Sequence, residues 1–285
     1  MFHQALRSSC CSIALLIFAI STAAAEVKIV KDLPYKSGDA LSSYETERCK
    51  LDLYLPTGEK NFATLVWFHG GGLTAGSKDE AFTTKLATSW AEAGIAVVAV
   101  NYRLSPKATY PAYIDDAAAS LHWTLEHIAE QGGDPSRIYL GGHSAGGYLA
   151  AIVGLSESVQ KRHAIASDSI AGIIPVSGQM MTHYQIRIER GLTKFNVIAD
   201  EAAPIYHARK STPPMLVIYA DRDMASRAEE NAFFVSTIKA AGNTQVVGLV
   251  VNDRDHGSVA ARMSESDDPG RKALLEFIEQ SAKRP

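Results

Sequence analysis

Cysteine is scarce in this chain: three residues in 285, at Cys10, Cys11 and Cys49. A disulfide-stapled scaffold is therefore excluded. Charge of one sign is missing as well. The 28 basic and 31 acidic side chains leave a net charge of −3, which gives no electrostatic case for nucleic acid or an anionic membrane as partner. No Gly-rich stretch ends in Gly-Lys-Ser/Thr, and none has the dinucleotide-binding spacing with a downstream acid. His, Cys and Asp never cluster at zinc spacing, so neither a metal nor an organic cofactor is expected. Internal repeats and low-complexity segments are absent too.

The composition that remains, 46% hydrophobic and 21% charged, is that of a globular protein. The first residues read differently from the rest. Arg7 precedes a short apolar core, Ile13 to Ile20, and Ala23-Ala24-Ala25 offers a small-residue cleavage site before Glu26. That apolar core is too short to span a bilayer. Residues 1–25 are expected to be a secretory signal peptide, and 26–285 one domain, secreted or periplasmic and off the membrane after cleavage. Cys10 and Cys11 leave with the leader. Cys49 stays and reads as a small strand residue.

Along the domain, strand patterns and helix patterns alternate. Strands are expected over 27–30, 50–56, 64–68, 95–100, 138–140, 170–176, 215–220 and 245–251. Helices are expected over 79–93, 111–131, 225–240 and 271–282, with a further small-residue helix after Gly147. Such alternation demands a mostly parallel eight-stranded sheet with helices on both faces. Residues 179–210 carry no strand and one short helix near 184–190, and read as a small lid insertion.

Gly142-His143-Ser144-Ala145-Gly146 stands between a strand and a helix. A serine at such a turn is held above the sheet edge beside the positive end of the helix. Its hydroxyl needs a base, and the base needs a carboxylate to fix its tautomer. His256, in the loop after the last strand and before Gly257, is the preferred base. Asp221 and Asp223 follow one strand and Asp255 another, so the acid is open among them. His143 should point away from the serine, and His69 should be structural. Gly71 and Gly72, joined by the N–H of Ala145, can offer three unobstructed donors to a developing oxyanion.

These pieces resemble the α/β-hydrolase superfamily, specifically its esterase/lipase group with an HGGG motif. The matching segments are His69 to Gly72 with Gly76 and Lys78, Asn101 to Pro106, Pro111-Ala112 with Asp116, Gly132 to Pro135, and Gly142 to Gly147. The resemblance implies the α/β-hydrolase fold, with Ser144 as nucleophile, His256 as base, and Gly71, Gly72 and Ala145 as oxyanion donors. The group's acid turn, with Ala220 in place of its glycine, favours Asp223. Arg103 and Asp116 look like the group's structural ion pair. Leu73 replaces a common aromatic residue, and with 179–210 as the only lid the pocket should be shallow and open. Gln179, Met180, Met181 and Tyr184 are candidates for its alcohol side. The substrate implied is a small-molecule or carbohydrate ester with a short acyl group, acetyl or feruloyl. An arylformamidase-like amidase, a non-catalytic binding module and a peptidase are the alternatives; no statement on oligomeric state follows.

Overall fold

Ala96 to Val100 shows how this chain builds its centre. Five consecutive small or β-branched residues are all buried, which only a strand covered on both faces permits. Val98 and Val100 face one apolar core; Val97 and Ala99 face the other. The computed structural model describes residues 26–281, so the leader expected over 1–25 lies outside the described residues.

Among the described residues, eight strands form one sheet: β1 (Val27–Pro34), β2 (Lys50–Pro56), β3 (Phe62–Phe68), β4 (Ala96–Val100), β5 (Gly133–His143), β6 (Gly172–Val176), β7 (Met215–Arg222) and β8 (Val246–Asp255). Their order is β1-β2-β4-β3-β5-β6-β7-β8. β1 and β4 both pair antiparallel with β2, and every pair from β4 to β8 is parallel. The helices are α1 (Ser43–Arg48), α2 (Ala81–Ala91), α3 (Ala112–His127), α4 (Ala145–Leu155), α5 (Glu157–Arg162), α6 (Tyr184–Glu189), α7 (Arg227–Ala240), α8 (Ser258–Ala261) and α9 (Pro269–Ser281). One core packs α3, α4 and α7 on the sheet, and the other packs α2, α8 and α9. This is the α/β-hydrolase fold. The ends of β3, β5, β6, β7 and β8 bring His69, Ser144, Ser177, Asp223 and His256 to one edge of the sheet, where parallel α/β sheets place ligands.

Three expectations need correction. Cys49 is not a strand residue. It caps α1, whose N-terminus carries a Ser42/Glu45 capping box, and it donates its N–H to Glu45 O at 2.8 Å. Burial, then the nearby Asp116 carboxylate, push its thiol up to about 11. Second, β5 begins at Gly133, well before the strand expected over 138–140, because Gly133 pairs beside Phe62. Third, β8 runs to Asp255, so Asp253 and Asp255 belong to the strand.

A buried ion group fastens the loop after β3. Lys78 Nζ lies 2.9 Å from Asp52 Oδ1, with Lys78 and Asp52 1% and 0% exposed. Asp32 and Asp79 lie at 2.8 and 3.0 Å from the same ammonium, and the Lys78 N–H donates to Asn101 Oδ1 at 2.7 Å. Removing one partner of a buried pair strands the other charge. Lys78→Met is expected to cost about 3–5 kcal/mol in urea unfolding, with most of it recovered in Lys78→Met/Asp52→Leu.

Candidate active site

Ser144 joins β5 to α4 with φ 57 and ψ −116, backbone that a non-glycine residue rarely adopts. The conformation is fixed from both sides. Ser144 N–H donates to Val176 O at 2.9 Å, and Tyr148 N–H donates to Ser144 O at 3.0 Å. A Cβ on Gly146 would lie 1.9 Å from Phe68 O, so only glycine lets the turn settle onto β3. The hydroxyl makes no cap bond to α4 and is left for other work.

The imidazole and carboxylate arrive by strand register. β7 and β8 pair as far as Arg222 opposite Asp255. The next residue on each strand is Asp223 and His256. His256 Nδ1–H donates to Asp223 Oδ1 at 2.6 Å, and the other ring nitrogen accepts from Ser144 Oγ at 2.8 Å. Of the three carboxylates left open by sequence, Asp223 is the one that reaches the imidazole. Asp221 accepts the Arg254 N–H at 3.0 Å across the strand pair. Asp255 accepts the N–H groups of Gly257 and Ser258 at 3.1 and 2.7 Å. Both are exposed aspartates at the ends of their strands.

Sequence reasoning missed the residues behind the acid. Ser177, at the end of β6, donates its hydroxyl to Asp223 Oδ2 at 2.5 Å, and Met224 N–H donates to Oδ1 at 2.7 Å. The Asp223 side chain is fully buried. Burial alone would raise its pKa, but the bonds from His256, Ser177 and Met224 prevail and hold the carboxyl below its ordinary range. Buried Arg227 donates to Ser177 O at 2.9 Å and so fixes the serine in turn. The available signal was a hydroxyl at the end of the strand beside the acid's strand. His143 was expected to turn away from the serine, and it makes no hydrogen bond to it. Its Nε2–H donates to His256 O at 2.7 Å, and the two rings lie 4.8 Å apart, so it supports the His256 imidazole.

The glycine loop lies against the elbow. A Cβ on Gly70 would come within 3.6 Å of Ser144 Cβ. His69 is buried, stacked on Tyr102 at 4.3 Å, and donates Nδ1–H to Gly70 O at 2.7 Å. Tyr102 O–H holds His69 O at 2.8 Å, and Arg48 holds Gly76 O at 3.1 Å. Further out, Arg103 grips buried Asp116 through two bonds of 2.8 Å each. Among the described residues the N–H groups of Gly71, Gly72 and Ala145 donate to no protein acceptor. Gly71 is exposed, and Ser144 and His256 are half-buried, so the cleft is open to solvent. Such a set can deprotonate a hydroxyl as it attacks and can neutralise an oxyanion that forms beside it.

The insertion is tied at its root. Glu230 Oε1 accepts the N–H groups of Met180 and Met181 at 2.5 and 2.6 Å. Tyr148 O–H donates to Ala202 O at 2.8 Å, and Tyr110 N–H to Glu189 at 2.8 Å. Of the four residues named for the alcohol side, Gln179 and Met180 are buried in this root, and Tyr184 reaches the glycine loop.

Residues 51–237 match the model of the BD-FAE family. Carboxylesterase NlhH of Mycobacterium tuberculosis is 44% identical over 98 residues, 34% of this chain and 30% of that one. Esterase LipC of the same organism is 24% identical over 245 residues, 80% of this chain and 55% of its own length. The chain thus spans about half or less of these relatives. A truncated carbohydrate esterase from gut microbiota superposes with a TM-score of 0.73 at 19% identity, covering 92% of this chain and 98% of that one.

Two outcomes are expected. Ser177→Ala should slow phosphonylation of Ser144 by a fluorophosphonate about tenfold, without loss of folded protein in circular dichroism. The second concerns acid. Burial holds the His69 imidazole down to about 3 and the His183 imidazole well below its ordinary range, while His183 Nδ1 accepts the Gln185 N–H at 3.2 Å. The unfolded chain therefore takes protons first. Stability held above the ordinary imidazole range should fall as pH drops below about 6.5. The urea midpoint should be lower at pH 5 than at pH 7, and His183→Asn, which can still cap α6, should flatten the decline.

Proposed function

The chain belongs to the BD-FAE family, and we propose that it is a serine carboxylic-ester hydrolase for short acyl groups, acetyl or feruloyl, carried on carbohydrates. The observation that carries this reading is the unbroken chain from Ser144 Oγ through His256 to Asp223, at 2.8 and 2.6 Å. The names of the relatives, carboxylesterase and esterase, support the reaction. The carbohydrate esterase that shares the fold, and the open cleft, support the substrate.

Ser144 Oγ attacks the ester carbonyl carbon as its proton passes to His256 Nε2. The carbonyl π-electrons move to oxygen, and Gly71, Gly72 and Ala145 N–H groups stabilise the oxyanion. Asp223 holds Nδ1–H and offsets the charge of the imidazolium. Collapse of the tetrahedral species breaks the bond to the alcohol, which leaves with the proton from Nε2. Water then gives its proton to the same nitrogen and attacks the acyl-enzyme, and the carboxylic acid departs as Ser144 regains its hydrogen. The apolar leader over 1–25 supports secretion or export to the periplasm as the setting.

The purified protein should turn over p-nitrophenyl acetate and release acetate from acetylated xylan. Ser144→Ala should lower kcat by about 10⁴–10⁶ and abolish fluorophosphonate labelling. Turnover that persists in the variant would overturn the proposed role of Ser144.

A further inference from the structure

Gly72 has left-handed backbone at φ +64, and the space where its Cβ would stand is already taken. A Cβ there would lie 2.0 Å from Tyr184 Oη and 3.2 Å from its Cζ. The phenol of a lid residue is therefore seated directly on the backbone of the glycine loop. Gly71 differs: a Cβ there would meet Ala75 O, within the loop itself. The glycine at 72 makes room for a side chain from outside its own loop.

Tyr184 is held in this position from behind. It opens α6, and its N–H donates to the buried Gln179 Oε1 at 3.0 Å. Its ring lies 4.6 Å from His183, which lies 5.1 Å from the buried Tyr148 of α4. Gln185, the next residue, donates to Ser105 Oγ at 3.0 Å. Both flanks of the ring are thus fixed to the body of the domain. Tyr184 itself is half-exposed, and among the described residues its hydroxyl finds no hydrogen-bond partner.

From this contact we infer that Tyr184 is a specificity-determining residue that roofs the glycine loop and limits the length of the substrate arm crossing Gly72. The inference rests on the ester-hydrolase reading of the same cleft. A phenol seated on the loop blocks the path past Gly72, so an arm that stops short of it is accepted and a longer one meets the ring. A methylene gained or lost against such a wall is worth roughly 10–200-fold in kcat/KM.

Two ester series read the wall: p-nitrophenyl esters with acyl chains of increasing length, and acetyl esters of alcohols of increasing size. Active sites are counted by fluorophosphonate titration, so that loss of folded enzyme is separated from a change of preference. The parent should favour the short member of the arm that crosses Gly72. Tyr184→Ala should raise kcat/KM for the longer members relative to the shortest by about tenfold or more in one series and leave the other unchanged. Tyr184→Phe, which keeps the ring on His183 and removes one oxygen, should give a smaller shift in the same series. The series that responds identifies the arm. If both profiles in Tyr184→Phe and Tyr184→Ala superimpose on the parent's while titration shows full active sites, the wall is refuted and the ester-hydrolase reading stands. If the parent hydrolyses no ester of either series, it is that reading that fails.

Discussion

Everything at the sheet edge depends on how closely β3 and the turn at Ser144 approach one another. The approach is backbone on backbone. Gly146 leaves its α-carbon against the Phe68 carbonyl, and Gly142 packs on Gly146 itself. No side-chain contact could set the hydroxyl with this tolerance, because side chains hop between rotamers and backbone in a packed sheet does not. The left-handed conformation of Ser144 persists because the surroundings over-determine it: one N–H bond to β6, the first turn of a wholly buried helix after it, and the glycine contacts below. The same approach places the glycine loop, which leaves β3 at His69, beside the hydroxyl.

Around that contact the chain uses two different ways of holding backbone still. On the glycine-loop side the restraints are polar and buried: the Lys78 ion group, the Arg48 bond to Gly76, and the neutral imidazole of His69 stacked on Tyr102. On the acid and base side the restraint is strand register. Neighbouring parallel strands stop one residue short of Asp223 and His256, so the two side chains start from paired positions. The Asp223 carboxylate is then locked by Ser177 and Met224, and the His256 imidazole by His143. Each of these side chains is held by an element other than its own, which is what preorganisation requires.

The sheet was legible in the sequence because parallel strands buried on both faces are written as apolar runs, as at 64–68 and 95–100, with helices between them. Ser144 and His256 were legible because their local context is distinctive: small residues on both sides of one, and a position just past the last strand for the other. Asp223 was not separable from Asp221 and Asp255 without a family resemblance, since each follows a strand and only the register of β7 on β8 decides between them. Ser177 and His143 were not legible as supports, since their partners lie 46 and 113 residues away. Helix α1 was missed for another reason. Six residues with no buried side chain leave no apolar period, and the capping box is its one local mark. The long-range contact between Tyr184 and Gly72 has no signature in either segment alone.

The insertion is anchored at its root to α3, α4 and α7, whereas residues 191–197 at its tip are exposed and bond mainly among themselves, as Thr193 does with Asn196. Phe195 and Val197 there are 79% and 67% accessible. Root and tip are thus separable in construction. Sequence can drift at the tip, or a tag or surface-coupling handle can be grafted into it, while the geometry around the serine is inherited unchanged from the root.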